Sequence, residues 1–195
     1  MPEVITIEQL TGAGPTVTEV TAIRFCAADD PAPGLRYPCK VPPAGIEEYD
    51  SNWITLRLNY SGDFSLINNL RFWGPGNIAD TWFGGDKGRM VVPRLDDSST
   101  GHGFLSASYQ RSAGTPGLTG TKIKAAVGGH VVYKDQTISV ADLDDYDENT
   151  PYVIDTRDIT VAGYSKCWLL QTECYPGADH GEQTPVTLVA AVDVV

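Results

Sequence analysis

The order of apolar and polar side chains along the chain reads as strands almost throughout. Residues 53–60 set Ile54, Leu56, Leu58 and Tyr60 on one face and Thr55, Arg57 and Asn59 on the other, the two-residue period of a half-buried strand. Residues 185–194 do the same with Val186, Leu188, Ala190, Val192 and Val194. Runs at 4–8 and 16–25 are rich in β-branched side chains, and shorter strands are expected at 89–92, 103–109, 122–126, 131–134, 160–162 and 164–173. Residues 66–73 follow Ser61-Gly62-Asp63 closely enough to be expected as the second arm of a hairpin with 53–60. Apolar residues do not recur at helical spacing over three turns anywhere, and the nearest approach, 139–148, is acidic and poor in apolar side chains.

Composition sharpens this pattern. The chain has 20 glycines and 13 prolines in 195 residues, and they fall between the strand-like runs. Gly74-Pro75-Gly76, Gly84-Gly85-Asp86-Lys87-Gly88, Gly114-Thr115-Pro116-Gly117 and Pro176-Gly177-Ala178-Asp179 have turn chemistry. The segment 27–45 holds five prolines, Pro31, Pro33, Pro38, Pro42 and Pro43, and reads as a long surface loop. Short strands with turns between them and no βαβ alternation predict an all-β chain. The expected architecture is a two-sheet β-sandwich of jelly-roll type with long Gly/Pro-rich loops. A chain of this length buries about 70% of its unfolded surface, and it contains no internal repeat or dividing linker, so a single domain spanning 1–195 is expected.

Charge narrows the partners. With 25 acidic and 14 basic side chains the formal net charge is −11, and no run of Lys or Arg offers a track for a phosphate backbone, so direct nucleic-acid binding is not expected. No stretch approaches the ~20 apolar residues of a membrane span. The first ten residues have neither the positive start nor the apolar stretch of a secretory leader.

Candidate chemistry is sparse. Cys26 and Cys39 bracket 12 residues of the Pro-rich loop, and a disulfide between them would contribute roughly 3 kcal/mol. Cys167 and Cys174, seven residues apart in one strand-like run, point to opposite faces and cannot reach each other. Neither spacing suits zinc. His102, His130 and His180 lie beside glycine or in loops, and no G-x-S-x-G, H-E-x-x-H or Walker sequence is present. No catalytic residue and no cofactor is therefore expected, and the chain reads as a non-enzyme. The acidic cluster Asp142, Asp144, Asp145, Asp147 and Glu148 is dense enough to hold Ca²⁺ but lacks the EF-hand pattern, and a solvated loop is the plainer expectation. Phe72-Trp73 and Trp82-Phe83 flank a turn, so one ring of each pair fills the core. The other needs cover from a loop, a sugar or a neighbouring subunit, which makes Trp73, Trp82 and Phe83 the candidate interface or ligand aromatics.

Three stretches, taken together, resemble β-rich structural proteins of tailed phages and related viruses, the group that includes head decoration and other virion surface proteins. They are Val20-Thr21-Ala22-Ile23-Arg24-Phe25-Cys26-Ala27-Ala28-Asp29-Asp30-Pro31-Ala32-Pro33-Gly34, then Ile67-Asn68-Asn69-Leu70-Arg71-Phe72-Trp73, and then Trp168-Leu169-Leu170-Gln171-Thr172-Glu173 leading through Pro176-Gly177-Ala178 into the final strand. The resemblance implies an architectural role on a virion, with no catalytic residue. The expected partners are copies of the chain or other capsid or coat subunits. Acidity suits such a role, because it keeps a coat component off the genome and soluble before assembly. Two other roles fit the same residues. One is a subunit of an extracellular filament or surface layer joined by β-strand addition. The other is a carbohydrate-binding module with Trp73 or Trp82 as glycan platform and the 142–148 loop holding Ca²⁺.

Overall fold

The computed structural model describes residues 2–12, 15–27, 39–95, 101–103, 114–115, 118–120, 122–123, 138–179, 181 and 183–195. In chain order the strands are β1 (Val4–Thr11), β2 (Thr16–Glu19), β3 (Tyr49–Asp50), β4 (Ile54–Ser61), β5 (Ile67–Trp73), β6 (Gly88–Leu95), β7 (Gly114–Thr115), β8 (Thr119–Gly120), β9 (Ile138–Asp142), β10 (Tyr152–Asp155), β11 (Gly163–Tyr164), β12 (Trp168–Cys174) and β13 (Val189–Val194). The larger sheet runs β2-β1-β4-β12-β6-β9, with β11 beside β4 and β3 beside β12. A three-stranded sheet, β10-β5-β13, covers its inner face. All these pairings are antiparallel. The chain crosses between sheets at β4→β5, β5→β6, β9→β10, β10→β11 and β12→β13, and the result is the all-β sandwich the sequence predicts.

The alternation in β4 is realised as read. Ile54, Leu56, Leu58 and Tyr60 enter the core, where they meet Ile67, Leu70 and Phe72 of β5 and Tyr152 and Ile154 of β10. Trp168 of β12 is fully buried at the centre, its ring 5.6 Å from that of Phe72. The outer face of β4 is polar but also covered. Glu8 of β1 lies opposite Arg57 and accepts from its Nε at 2.7 Å and from Asn59 Nδ2 at 2.9 Å. The Arg57 guanidinium lies 3.6 Å over the Tyr164 ring.

The predicted hairpin between 53–60 and 66–73 does not form. β5 pairs with β10 and β13 rather than with β4. Two strands that each carry an apolar face satisfy both by stacking across a core, and the connection at 62–66 turns over the rim of the sandwich to let them do so. Gly62 makes this turn at φ 85°, where a Cβ would lie 2.2 Å from the Pro2 carbonyl oxygen.

Two bulges then set which side chains face inward. The expected strand 164–173 divides into β11 and β12, which pair with β4 one residue out of step: Tyr164 faces Asn59, whereas Trp168 faces Leu56. The extra residue lies among 165–167, where Ser165 accepts the Leu58 N–H on its hydroxyl and donates its own N–H to the Leu58 carbonyl. The shift leaves Tyr164 on the outside and Trp168 in the core. In β5, Asn69 sits at φ 53°, a left-handed conformation that Asn tolerates better than other L residues. The bulge there moves the inward set from Ile67 to Leu70 and Phe72.

Several expectations are shortened or displaced. The run 16–25 is a strand only over β2; Ile23 and Phe25 leave the ladder to pack against the core. Residues 160–162 form no strand, since Ile159 makes the bridge to Ile67 instead. The acidic stretch 139–148 is β9 followed by a 3₁₀ turn at Leu143–Asp145. Most of the expected strand 103–109, residues 124–126 of the next, all of 131–134, and 28–38 of the Pro-rich loop lie outside the described residues. Among the described residues no helix is long and apolar enough to cross a membrane.

The bulge at Asn69 yields a test. Replacing Asn69 by Val should cost about 1–2 kcal/mol, because a β-branched residue resists φ near 53°, while Asn69→Gly should lose far less. Urea unfolding of the two variants beside wild type measures the difference.

Candidate functional site

The sequence-singled residues are scattered rather than gathered. All four cysteines carry thiols. Cys39 and Cys174 have Asp50 as a common neighbour, and Cys39 also feels Cys26, whereas Cys167 lies beside Arg57. Cys167 and Cys174 thus have separate surroundings, as the odd spacing requires. Burial pushes the Cys39 and Cys174 thiols up to about 12 and that of Cys167 to about 11. These three stay protonated at neutral pH and are poor nucleophiles.

The aromatics are occupied by the fold to differing degrees. Phe83 is buried in a single π-helical turn at Ala79–Phe83. Trp82 is half-buried, packed edge-on to Phe25 at 5.9 Å, and its Nε1 donates to the Thr184 carbonyl at 2.8 Å. Trp73, opposite Val189 on β13, is half-buried on the small sheet. His102 is buried with its ring stacked 5.2 Å from that of Tyr152. His130 and His180 lie outside the described residues.

Asp142, Asp144 and Asp147 of the acidic loop are committed to backbone groups. Asp142 accepts from the Asp144 N–H, and Asp144 accepts from Ile78 and Ala79 at 2.9 and 2.8 Å, capping the π-helical turn. Asp147 takes the N–H groups of Asn149 and Thr150 and the Thr150 hydroxyl. Among the described residues, the acidic side chains that do converge are others.

They are Glu48, Asp50 and Glu173. β3 pairs with β12 so that Asp50 lies directly opposite Glu173, which on its other side faces Arg89 of β6. Glu48 precedes Asp50 by two residues and shares its face. One carboxylate oxygen from each lies within 4.8 Å of the others. Residues 118–120 and 122–123 cover this face: Thr119 Oγ1 accepts the Asp50 N–H, Gln171 Oε1 accepts the Ile123 N–H, and Gly120 lies so close that a Cβ would stand 2.2 Å from the Ser51 carbonyl oxygen. Glu173 is consequently 0% exposed and Asp50 7%. Lys122 binds both oxygens of Glu48 at 2.6 and 2.8 Å and stands 3.7 Å from Glu173 Oε1. Arg89 Nε and the Tyr175 hydroxyl both donate to Glu173 Oε2, at 2.7 and 2.9 Å.

Three carboxylates against Lys122 and Arg89 leave this site one negative charge in excess when all are ionised. Burial, then the charges of Glu48 and Glu173, push the Asp50 carboxyl up to about 7, against the pull of Lys122. Burial lowers Lys122, but the hydrogen bond it donates to Glu48 and the Glu173 charge outweigh this and leave the ammonium above its usual range. The arrangement can hold a proton or a cation, and its three carboxylates each offer a ligating oxygen. Sequence reasoning missed it because Glu48 and Asp50 are far from Glu173 along the chain. The available signal was a carboxylate inside the apolar run 168–174.

A shallow cleft of about 340 Å³ lies between residues 62–65 and 160–162, and Asp63 is its one ionisable side chain. No family model, curated protein or solved structure matches this chain, so the functional reading rests on its own residues.

Two outcomes test these assignments. Asp50 is a carboxyl whose folded pKa is raised from 3.8 to about 7. The stability it confers is present below pH 4 and is lost as pH climbs through 7. In metal-free buffer, the effect of Asp50→Asn on the melting temperature should therefore become steadily more favourable from pH 4 to pH 8, with the largest gain at pH 8. Asp144→Ala removes the acceptor of two N–H groups and should cost about 1 kcal/mol in urea unfolding.

Proposed function

We propose that the chain is a non-enzymatic structural subunit that assembles with copies of itself or with a capsid shell on a virion surface, using the β13 edge as a joint. The supporting observation is the state of that edge. Val195 exchanges both backbone bonds with Leu66, and Ile67 spends its own pair on Ile159, so Val194, opposite Ile67, turns its N–H and C=O away from β5. By alternation Val192 and Ala190 do the same. Among the described residues nothing bonds to these outward groups. The β10 edge of the same sheet is treated differently, since His102 and Gly103 donate to Val153 and Ile154 and close it.

Edge strands are ordinarily guarded by charge. The one charged residue of β13, Asp193, is engaged by Asn69 Nδ2 at 2.8 Å and by Arg71, both on the strand within. What remains outward is an apolar, hydrogen-bonding strand suited to β-strand addition. The virion setting draws on the resemblance of the three stretches to phage surface proteins and on the acidic charge. An extracellular filament would use the same edge, and microscopy separates the two.

Light scattering after size exclusion at rising concentration, with negative-stain electron microscopy, should show oligomers or decorated particles. Val194→Pro removes an outward donor and leaves the β5 ladder intact, so it should yield monomers with an unchanged melting temperature. Wild-type protein that stays monomeric at high concentration and never decorates a particle would sink the reading.

A further inference from the structure

Glu173 Oε1 is an oxygen without a hydrogen bond at the core of a folded domain. The side chain is 0% exposed, its other oxygen takes both donors that reach it, and Oε1 has only Lys122 Nζ at 3.7 Å. Asp50 Oδ1, also buried, has no hydrogen-bond partner. Unsatisfied buried carboxylate oxygens are costly, and here two belong to one cluster. Lys122 does not fill the centre, because it sits on Glu48 as a bidentate partner. Like charges directly opposite each other in a ladder, Asp50 and Glu173, destabilise it unless a cation intervenes.

The donors are all carboxylate oxygens, which suits a hard divalent cation. Coordination habit selects among these ions: calcium accepts irregular carboxylate cages at about 2.4 Å, whereas magnesium demands near-ideal octahedral geometry and keeps most of its water. One oxygen from each of the three carboxylates lies within 4.8 Å of the others, close enough to share one ion. We propose that Glu48, Asp50 and Glu173 form a Ca²⁺ site that ties β3 to β12, with the Lys122 ammonium as its built-in competitor. On binding, the ion takes the oxygens of Asp50 and Glu173 that lack donors, together with Glu48. Lys122, whose side chain is 35% exposed, moves outward to water. Arg89 and Tyr175 stay on Glu173 Oε2 and hold the carboxylate in orientation.

The test uses the full chain stripped of metal, titrated with CaCl₂ by calorimetry at constant ionic strength, with melting temperature followed in parallel. Wild type should bind one ion saturably and melt higher with calcium. Lys122→Met should bind at least about tenfold tighter, since a unit charge is removed from beside the site. Glu48→Gln and Asp50→Asn, each checked as folded by circular dichroism, should bind at least about tenfold more weakly. Two results would overturn the proposal. One is no saturable binding by Lys122→Met at millimolar calcium. The other is binding that Glu48→Gln and Asp50→Asn leave unchanged, which would put the ion elsewhere on the chain.

Discussion

A strand buried on both faces must find partners for every polar side chain it carries, and β12 carries Gln171, Thr172 and Glu173 into that position. Its inner face, with Trp168 and Leu170, is the centre of the core between the sheets. Its outer face is roofed by residues 118–120 and 122–123, so the sandwich is locally three layers deep. Gln171 uses its amide at both ends, accepting from Ile123 and donating to the Ser51 carbonyl. Glu173 sets the positions of Arg89, Tyr175 and Lys122, and through the β3 pairing it sets that of Asp50 as well.

A second buried carboxylate solves the same problem differently. Asp155 is 3% exposed, but its cost of burial is outweighed by Arg157, which bonds both its oxygens, and by the N–H groups of Lys166 and Arg157. These hold its carboxyl below the ordinary range. Asp50 lacks such donors and shifts the other way. Two aspartates of similar burial thus differ in protonation because of what their neighbours can donate, and only the under-supplied one belongs to a cluster with room for a cation.

How much of this was legible in the sequence depends on the range of the signal. Local alternation gave strand identity and inward face for residues 53–60, since period two is a property of the backbone alone; for 185–194 it gave the core-facing set Val186, Leu188, Ala190 and Val192, but the strand covers only Val189–Val194 and Val194 is exposed. Sheet membership was not legible for 66–73: adjacency suggested a hairpin, but the choice between pairing beside β4 and stacking across from it is made by the whole core. The bulges at Asn69 and 165–167 were hidden for a related reason, because a one-residue offset shows only against the partner strand. Of the site, Asp142 to Glu148 attracted notice by density, yet density reflected capping of nearby turns. Glu48, Asp50 and Glu173 are sparse in sequence, and only the β3–β12 register brings them together.

The engagement of Asp193 has a consequence for how association could be controlled. A gatekeeping charge on an edge strand repels incoming chains only while it is free to face them, and Arg71 and Asn69 hold this one on the strand within. Under the proposed joining at β13, permission would therefore be set from β5, by residues that need not touch the incoming chain. A substitution at Arg71 would release the carboxylate and re-arm the edge, so the control would lie one strand inward from the surface it acts on.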